Sequence, residues 1–316
     1  MTKVYIGLDG GGTHTTGVTV RPDGTVIRRT EGPGLNYLND GLACCIGRLQ
    51  RITALLTEGV GAEEVSVCAG LAALDGPAPP EILAAFRKAL PAGWTLRLES
   101  DLTVALTGHT LGKPGLMAVC GTGSMALTLD REGQTHAAGG WGWKMGDPGS
   151  GYALAREGLE QALYALEAEG RETPLLAEAL LFFGAADARE MIGTLYAEGQ
   201  GPDALAAFGA AVIRQAEEGE PEAETLIRRQ MARLAALAGM LLRKTPEARE
   251  RVGLYGGIFQ HSALARNLFA QALEARSPGV RAELIQREPA LGAVILEMLR
   301  EGTHPGELPE FTEEQT

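Results

Sequence analysis

The feature that most constrains this chain is a glycine-rich turn between two strand-like runs near its start. An apolar run ends at one acid, three glycines and a threonine, namely Asp9, Gly10, Gly11, Gly12 and Thr13. A hairpin needs no more than an Asp-Gly pair, and each further glycine adds backbone entropy that folding must overcome. Three glycines leave a turn without side chains, whose N–H groups can approach an anion closely. The pattern therefore fits either a plain hairpin or a phosphate-binding turn.

The residues at the two ends of this turn supply chemistry for the second interpretation. Thr13 and Thr15 carry hydroxyl groups that can donate to a phosphate oxygen. The carboxylate of Asp9 would repel a phosphate, but it can hold a hydrated Mg²⁺ ion that contacts one. Short glycine motifs match by chance, so this turn alone does not decide between the two interpretations.

The composition limits the kind of protein this can be. With 316 residues the chain is long for one hydrophobic core, which predicts two domains. The formal net charge is -12 and the charged residues are mixed along the chain, which argues against nucleic-acid binding. The N-terminus lacks the pattern of a signal peptide, and no apolar run is long enough to span a bilayer. These features predict a soluble cytoplasmic protein.

The four cysteines, Cys44, Cys45, Cys68 and Cys120, do not have the spacing of a zinc or redox motif. Two of them are adjacent, and two lie in apolar runs of the kind that form buried strands. The pattern predicts reduced thiols in the protein core.

The predicted elements repeat once along the chain. Residues 1–113 predict three strands followed by alternating helices and strands, and Lys113–Gly115 breaks the chain. A second unit then begins in the same way, with the apolar strand Leu116–Cys120, a turn and another strand. The recurrence suggests an internal duplication at the level of the fold.

The second half of the chain is mostly helical by its pattern. Residues 151–244 are rich in Ala, Leu and Glu, and the predicted breaks are at Gly170, Gly184 and Gly201. A final helix is predicted from Pro289. The tail is acidic and contains proline, so it is predicted to be disordered from Thr303.

The second unit has a glycine turn of its own, formed by Gly121, Thr122, Gly123 and Ser124. Like the first turn, it combines backbone donors with hydroxyl groups. Two such turns in matching contexts, one in each half, could form a clamp around a polyphosphate. The pair of turns predicts nucleotide binding.

Asp101 stands where a predicted strand ends and a predicted helix begins. It can simply cap the helix, a common role worth ~1 kcal/mol. It can also aim a carboxylate into a cleft and accept the proton of an attacking hydroxyl group. A loose phosphoryl-transfer transition state demands little base strength, so a carboxylate of ordinary pKa suffices. Position alone favours the cap.

Three other segments each have two interpretations. Gly139–Gly151 is the densest segment in glycine and contains Asp147, which can cap the following helix or lie in a loop that approaches a sugar or a phosphate. Asn36 can bond its own turn or a sugar hydroxyl. Gly256 and Gly257 can form a tight strand-to-helix turn or let a nucleotide base lie against the backbone.

Taken together, these segments resemble the N-acetylglucosamine kinase family, which belongs to the BadF/BadG/BcrA/BcrD-type ATPases of the actin-like ATPase and sugar kinase superfamily. The resemblance extends to about Arg300. Asp9–Thr13 and Gly121–Ser124 are similar to the two phosphate motifs of the family, and Gly256–Gly257 to its adenosine motif. Gly139–Ser150 is similar to its sugar-binding signature, the most specific match.

The resemblance implies a role for each matched residue. Asp101 would be the catalytic base, and Asp9 would bind Mg²⁺ through water. Contacts with ATP are implied for residues of the phosphate and adenosine motifs and for one helical residue: Asp9, Gly10, Gly11, Gly12, Thr13, Gly121, Thr122, Gly123, Ser124, Ala206, Gly256 and Gly257. Contacts with the sugar are implied for Asn36, Asp101, Gly139, Gly140 and Asp147.

The fold implied by the resemblance is α/β, with two ribonuclease-H-like domains of the actin-like ATPase type and a cleft between them. The N-terminal domain would span residues 1–113 and be joined by the C-terminal helix 289–302. The C-terminal domain would span 114–288 with a helical insertion, and 303–316 would be a disordered tail. ATP and Mg²⁺ would be the cofactors and a sugar the substrate. The assembly would be a homodimer without membrane or nucleic-acid partners.

The implied reaction is transfer of the γ-phosphate of ATP to a hydroxyl, the 6-hydroxyl, of N-acetylglucosamine or a related hexose. Two departures from the family pattern bear on the sugar. Ser100-Asp101-Leu102 replaces the more usual Asn-Asp-Ala or Thr-Asp-Ala, and Pro148 stands where glutamate is common. Glucose and glucosamine are therefore alternative substrates.

Two other functions stay open. Activator subunits of 2-hydroxyacyl-CoA dehydratases, in the same broad family, are ATPases that drive a partner and hold an iron–sulfur cluster through cysteines. No exposed cluster ligands are evident from the cysteine positions here, and iron in the purified protein would revive this alternative. A non-catalytic sugar sensor would share the fold, but the presence of Asp9, Asp101 and both turns argues against it.

Overall fold

The computed structural model describes residues 2–197 and 201–314, and the chain divides into two compact units. The first unit takes in the chain up to Pro114, together with Arg131–Gly133 and the stretch from Gln286 onward. The second unit comprises Gly115–Asp130 and Gln134–Ile285. Each unit has its own sheet and its own hydrophobic core.

The elements of both units follow in chain order. The strands are β1 (Lys3–Gly10), β2 (His14–Val20), β3 (Thr25–Pro33), β4 (Glu64–Leu71), β5 (Thr95–Ser100), β6 (Gly115–Cys120), β7 (Ser124–Leu129), β8 (Thr135–Gly139), β9 (Val252–Tyr255), β10 (Ala282–Leu284) and β11 (Thr312–Glu313). The helices are α1 (Tyr37–Asp40), α2 (Leu42–Thr57), α3 (Pro80–Lys88), α4 (Asp101–Thr110), α5 (Gly151–Glu169), α6 (Pro174–Phe183), α7 (Glu190–Leu195), α8 (Pro202–Glu217), α9 (Pro221–Lys244), α10 (Gly257–His261), α11 (Ala263–Glu274) and α12 (Pro289–Arg300). A short 3-10 helix, Pro246–Glu250, precedes β9.

The two sheets repeat one topology. The first has the order β11-β3-β2-β1-β4-β5, and the second has the order β10-β9-β6-β7-β8. In each sheet three consecutive strands form an antiparallel meander, and two later strands add in parallel next to the first strand of that meander. The repeated order confirms the predicted α/β fold class, with two domains of the same kind.

Strand β1 is buried on both faces, and the second face is covered by α12, a helix near the end of the chain. On one face its apolar side chains enter the main core of that unit: Val4, Ile6 and Leu8. On the other face lies α12. A Cβ atom at Gly7 would lie 2.0 Å from the carbonyl oxygen of Ala290, so only glycine allows α12 to pack this closely.

The helices of the second unit break where the sequence predicts, with one addition. α5 and α6 are followed by Gly170 and Gly184 in the left-handed conformation, and α8 begins after Gly201. The further break between α8 and α9, at Gly219 and Pro221, is not among the predicted ones, although glycine often ends a helix and proline often begins one. Among the described residues, no helix is long and apolar enough to cross a membrane.

The tail requires a correction. Its composition predicts disorder from Thr303, yet residues 303–314 are placed, and Thr312–Glu313 pairs with β3. Leu308 and Phe311 pack against buried residues of the first unit. Two apolar side chains and main-chain pairing at a sheet edge thus hold a segment whose average composition is polar.

The thiols also differ from their predicted placement. Cys45, Cys68 and Cys120 are buried as expected, but Cys44 is exposed, and all four are free thiols. Adjacent residues of a helix point about 100° apart, so α2 can bury one of its two cysteines without the other.

Candidate active site

The carboxyl ends of three parallel strands, β1, β4 and β5, meet at one edge of the first sheet. The register places Asp9 opposite Gly70, and Gly70 opposite Glu99. Asp101 follows β5 directly, as the first residue of α4. A Cβ atom at Gly70 would lie 3.0 Å from the Cα atom of Asp101 and 2.5 Å from a methyl group of Val104, so glycine is needed there. The strand order thus brings two predicted functional carboxylates, Asp9 and Asp101, to the same edge.

Asp101 is only partly responsible for capping its helix. Ser100 is the N-cap residue, and its hydroxyl oxygen accepts from the N–H of Leu102 at 3.2 Å. The Oδ1 atom of Asp101 accepts from the same N–H at 2.8 Å. Burial raises the pKa of Asp101 and the charge of Asp75 adds to the rise, while the bonds with Leu102 and Ser100 lower it. With a cap supplied by Ser100, the carboxylate of Asp101 is also placed to accept a proton.

The carboxyl group of Asp9 has a pKa raised to about 6, first by burial and then by the charge of Asp101. Glu288 adds to the rise, and His14 opposes it. Asp75 and Glu288 were not predicted from the sequence. Each lies far along the chain from the carboxylate it influences, and no motif marks it.

A carboxylate under this negative potential has the chemistry of a cation ligand. Among the described residues, no group of three or more His, Cys, Asp or Glu side chains could hold a metal ion. A cation held through a single carboxylate, such as that of Asp9, would keep much of its water shell, as Mg²⁺ does readily. The donor set fits the predicted water-mediated Mg²⁺ site.

The first glycine turn is supported from behind by the loop after β3. The N–H of Gly34 donates to the carbonyl oxygen of Thr13 at 3.0 Å, and the N–H of Leu35 donates to that of Gly11 at 3.1 Å. A Cβ atom at Gly34 would lie 2.5 Å from the carbonyl oxygen of Gly12. Within the described chain, a Cβ atom at Gly12 itself would meet nothing within 4 Å, and Thr13 is exposed. One side of the turn is therefore held by backbone bonds, while the other is open.

Gly10 and Asn36 have structural roles besides the predicted ones. A Cβ atom at Gly10 would lie 2.8 Å from the carbonyl oxygen of Gly70, so packing in the sheet already demands glycine. The Oδ1 atom of Asn36 caps α1 by accepting from the N–H groups of Leu38 and Asn39 at 3.1 and 3.3 Å. This bond occupies the amide oxygen of Asn36, and its NH₂ group can still donate to a ligand.

The second glycine turn is tied to the segment after β8. It closes on itself through the N–H of Gly121, which donates to the carbonyl oxygen of Gly123 at 2.9 Å. The hydroxyl of Ser124 donates to the carbonyl oxygen of Pro148 at 2.7 Å. A hydroxyl has one proton, so this bond takes the donor that the sequence assigned to a phosphate. Thr122, by contrast, is exposed.

The stretch from the last residue of β8 to Gly149 is shaped by backbone conformations that favour glycine. Four of its glycines have positive φ angles: Gly139 (83°), Gly140 (70°), Gly142 (78°) and Gly149 (87°). Asp147 shares this conformation with φ at 60°, which is uncommon for a residue with a side chain. The main chain here follows a path that other residues would resist.

Asp147 is buried and joins this segment to the second turn. Its Oδ1 atom accepts from the N–H of Gly142 at 3.2 Å, and its Oδ2 atom lies 2.8 Å from where a Cβ atom of Gly123 would stand. Burial raises the pKa of Asp147, while hydrogen bonds from the backbone of Gly142 and Ser124 lower it. Ser150, not Asp147, is the N-cap residue of α5.

The remaining predicted ATP residues also lie in the second unit. Gly256 has φ at 101°, and a Cβ atom there would lie 2.5 Å from the carbonyl oxygen of Cys120, next to the second turn. Gly257 is the first residue of α10. Ala206 is buried on α8, and its carbonyl oxygen lies 2.7 Å from where a Cβ atom of Gly151 would stand.

Each unit thus gathers one group of predicted residues. In the first unit these are Asp9, Gly10, Gly11, Gly12, Thr13, Asn36 and Asp101. In the second they are Gly121, Thr122, Gly123, Ser124, Gly139, Gly140, Asp147, Ala206, Gly256 and Gly257. Two structural partners of these groups were missed, Gly34 and Gln230. A glycine pair around Pro33 was a signal for the first, and a polar residue on an otherwise apolar helix face was the only signal for the second.

The chain is similar in sequence to two curated kinases. The N-acetyl-D-glucosamine kinase of Dictyostelium discoideum is 25% identical over 313 residues, which cover 93% of this chain and 97% of that protein. The N-acetylmuramic acid/N-acetylglucosamine kinase of Clostridium acetobutylicum is 25% identical over 303 residues, covering 93% and 98%.

Solved structures show the same relationship at the level of the fold. A candidate N-acetylglucosamine kinase from Chromobacterium violaceum has a TM-score of 0.74 at 27% identity, covering 93% of this chain and 99% of that one. The ROK family glucokinase of Streptomyces griseus, solved with glucose and AMPPNP, has a TM-score of 0.57 at 17% identity, covering 95% and 100%. The second likeness concerns the fold alone. The sequence profile of the BadF/BadG/BcrA/BcrD ATPase family matches residues 6–296, from β1 into α12, and the protein therefore belongs to that family.

Proposed function

We propose that this protein is an ATP-dependent kinase that transfers the γ-phosphate of ATP to the 6-hydroxyl of N-acetylglucosamine or a closely related hexose. The observation that carries the proposal is the placement of Asp101, a carboxylate of raised pKa at the end of β5 on the sheet edge it shares with Asp9. Membership of an ATPase family supports ATP as the donor. The two curated relatives, both named as amino-sugar kinases, support a sugar as the acceptor. The protein would act in the cytoplasm as a homodimer.

Asp101 would act as the base that receives the proton of the sugar hydroxyl. The raised pKa makes its carboxylate a better proton acceptor than an exposed aspartate. Little base strength is required, since bond formation to the incoming oxygen lags behind departure of the leaving group in a loose transition state. Position matters more than basicity, and the first turn of α4 fixes that position.

The phosphates of ATP would be bound mainly by backbone groups. The first turn offers its open side at Gly12 and the exposed hydroxyl of Thr13, and the second offers the exposed hydroxyl of Thr122. Gly256 would let the adenosine approach the backbone beside the second turn. Held by Asp9 through water, Mg²⁺ would neutralise phosphate charge.

Two polar side chains, those of Asn36 and Asp147, are proposed to contact the sugar. The NH₂ group of Asn36 can donate to a sugar hydroxyl, while Asp147 can accept from one. Gly139 and Gly140 would let the ring approach the main chain. The indole of Trp141, which is 70% exposed, provides an apolar surface of the kind an acetamido methyl group needs.

A coupled assay of ADP release tests the proposal. Glucose, glucosamine, N-acetylglucosamine and N-acetylmuramic acid are compared with a reaction that lacks sugar, and the product is analysed for the position of its phosphate. We expect the highest kcat/KM for N-acetylglucosamine, with the phosphate on the 6-hydroxyl. A preference for glucose or glucosamine would keep the kinase and remove the acetamido pocket. No stimulation by any sugar would favour an ATPase that drives a partner protein.

A further inference from the structure

In the turn that carries Asp147, the main chain of Pro148 and Gly149 makes three hydrogen bonds with side chains from outside the turn. The carbonyl oxygen of Pro148 accepts from the hydroxyl of Ser124 at 2.7 Å, and the carbonyl oxygen of Gly149 accepts from the thiol of Cys120 at 3.1 Å. Both of these partners belong to the end of β6 and the second glycine turn. The third bond runs in the other direction, from the N–H of Gly149 to an acceptor on a distant helix.

That acceptor is the Oε1 atom of Gln230 on α9, at 2.8 Å from the nitrogen of Gly149. Gln230 is fully buried, and the other end of its amide is used as well, since Nε2 donates to the carboxylate of Glu157 on α5. The two contacts fix which way the amide points. If it turned over, its NH₂ group would face the N–H of Gly149 and its oxygen would face a carboxylate, so both contacts would become repulsive.

Glu157 is itself fixed by charge. Its carboxylate lies 2.7 Å from the guanidinium of Arg229, 3.5 Å from that of Arg233 and 3.6 Å from that of Arg156. These contacts hold Glu157 as an ionised carboxylate. A carboxylate can accept the hydrogen bond that the NH₂ group of Gln230 donates. A continuous chain of partners therefore leads from a charged cluster between α5 and α9 to the main chain beside Asp147.

The turn cannot hold this shape by itself. Gly149 has φ at 87°, and a Cβ atom there would lie 2.9 Å from the terminal methyl group of Met231, so no side chain is available at that position. Asp147 occupies a left-handed conformation that a residue with a side chain rarely adopts. Such a conformation persists when the surroundings impose it, and Gln230 is a buried side chain of the helical part of the unit that hydrogen-bonds to this turn.

We propose that Gln230, oriented by Glu157, is the positioning residue that sets the Asp147–Gly149 turn for sugar binding. The inference rests on the proposed function for its kinetic consequence, but not for its structural one. Gln230 touches no substrate in this account. It acts through the main chain of Gly149, so its loss should displace Asp147 and weaken sugar binding while the base Asp101, in the other unit, is unaffected.

The first test replaces the amide with an apolar side chain of similar size. For Gln230→Leu we expect the sugar KM to rise about tenfold or more, because the buried N–H of Gly149 loses its acceptor. The ATP KM and kcat should change less than the sugar KM. Leu241→Ala is the control, since it also disturbs buried packing on α9 but lies three turns along that helix from Gln230. It should lower the melting temperature and leave both KM values near those of the wild type.

The second test exchanges donor and acceptor between the two residues. Gln230→Glu alone keeps an acceptor for Gly149 but sets two carboxylates against each other, and should impair sugar binding as Gln230→Leu does. Adding Glu157→Gln supplies an NH₂ group that donates to the introduced carboxylate and restores both bonds. We expect the double variant to recover at least half of the lost sugar affinity. If it is worse than Gln230→Glu alone, orientation by Glu157 is wrong.

Hydrogen exchange separates this inference from the proposed function. Amide protons of residues 139–151 should exchange about tenfold faster or more in Gln230→Leu than in Leu241→Ala, since only the former releases the turn. This comparison needs no substrate, and so it holds even if no sugar proves active. Equal protection of the segment in the two variants, or a sugar KM in Gln230→Leu no higher than in Leu241→Ala, would overturn the positioning role.

Discussion

The two glycine turns occupy the same place in their units, yet the side chains that support them differ. Each follows the first strand of its meander, and each is backed by a loop that carries a proposed sugar residue. The first turn is held by main-chain bonds from Gly34 and Leu35. The second is held by a main-chain bond from the N–H of Gly151 to the carbonyl oxygen of Gly121 at 2.8 Å, and in addition by the hydroxyl of Ser124 and the carboxylate of Asp147. A common topology therefore does not dictate a common way of fixing the turn.

The difference has consequences for what mutations can reveal. In the first unit a turn residue such as Gly12 has open space around it, so a substitution there acts on whatever approaches from outside. In the second unit a substitution at Gly123 meets Asp147 first, so it changes the protein before it meets a ligand. The residue directly before each turn differs as well. It is the carboxylic acid Asp9 before the first turn and the neutral thiol of Cys120 before the second.

The largest effect, on kcat, is expected for the proposed base Asp101, which lies in the first unit. Asp101→Asn removes the proton acceptor and should lower kcat by ~10²-fold or more, with little change in ATP affinity. Turnover is measured with the best sugar of the screen, and ATP affinity by calorimetry. Thr173→Ala is the matched control for a cap, because Thr173 caps α6 in the second unit without touching the candidate site. If Asp101→Asn keeps the turnover of the wild type, as Thr173→Ala should, Asp101 only caps α4.

The next effect compares the two turns directly. Gly12→Val places a branched side chain in open space and should weaken ATP binding by at least about tenfold, through lost charge-assisted hydrogen bonds, without lowering the melting temperature. Gly123→Val should weaken ATP binding as strongly and also destabilise the protein, because it displaces Asp147. Calorimetry and thermal melts of both variants check this. Unchanged ATP affinity in both would end the two-turn account of phosphate binding.

The sequence predicts the architecture better than it predicts how the site residues are used. Repetition of strand, glycine turn and strand predicted an internal duplication, because hydrophobic periodicity and turn residues are local signals, and the family resemblance implied the α/β class of the two units. The use of Ser124 could not be foreseen, since its hydroxyl bonds to Pro148, a residue that folding brings to it. Gln230 was missed for the same reason. Its partners, Gly149 and Glu157, are more than seventy positions away along the chain.

A third effect tests the side-chain support of the second turn. Asp147→Ala should raise the sugar KM by about tenfold to a hundredfold, from the loss of a buried acceptor. The ATP KM should rise less, although it should rise, because the backbone N–H of Ser124 also loses its partner. Asp187→Ala removes a carboxylate that accepts from backbone N–H groups elsewhere in the same unit, and it serves as the control. A rise in the ATP KM alone would remove Asp147 from the sugar site.

The smallest effect concerns the acid that precedes only the first turn. The pKa of Asp9 is raised from its ordinary value of 3.8 to about 6, so the folded state binds this proton more tightly than the unfolded state does. The resulting stability is present below the ordinary pKa and is lost as the pH rises through about 6. Asp9→Asn should therefore be more stable than the wild type at pH 7.5 by about 1 kcal/mol, less than the full shift because the carboxylate is partly exposed to solvent. The advantage should shrink at pH 5, where the wild-type group is largely protonated.

Cys120→Ser, at the matching place in the second unit, should show no such change between these pH values, since burial raises the pKa of that thiol and keeps it neutral at both. Thermal melts at the two pH values make the comparison. A pH-independent difference for Asp9→Asn would mean that burial and the charge of Asp101 do not raise the pKa of Asp9, and it would remove that support for a proposed role as a Mg²⁺ ligand.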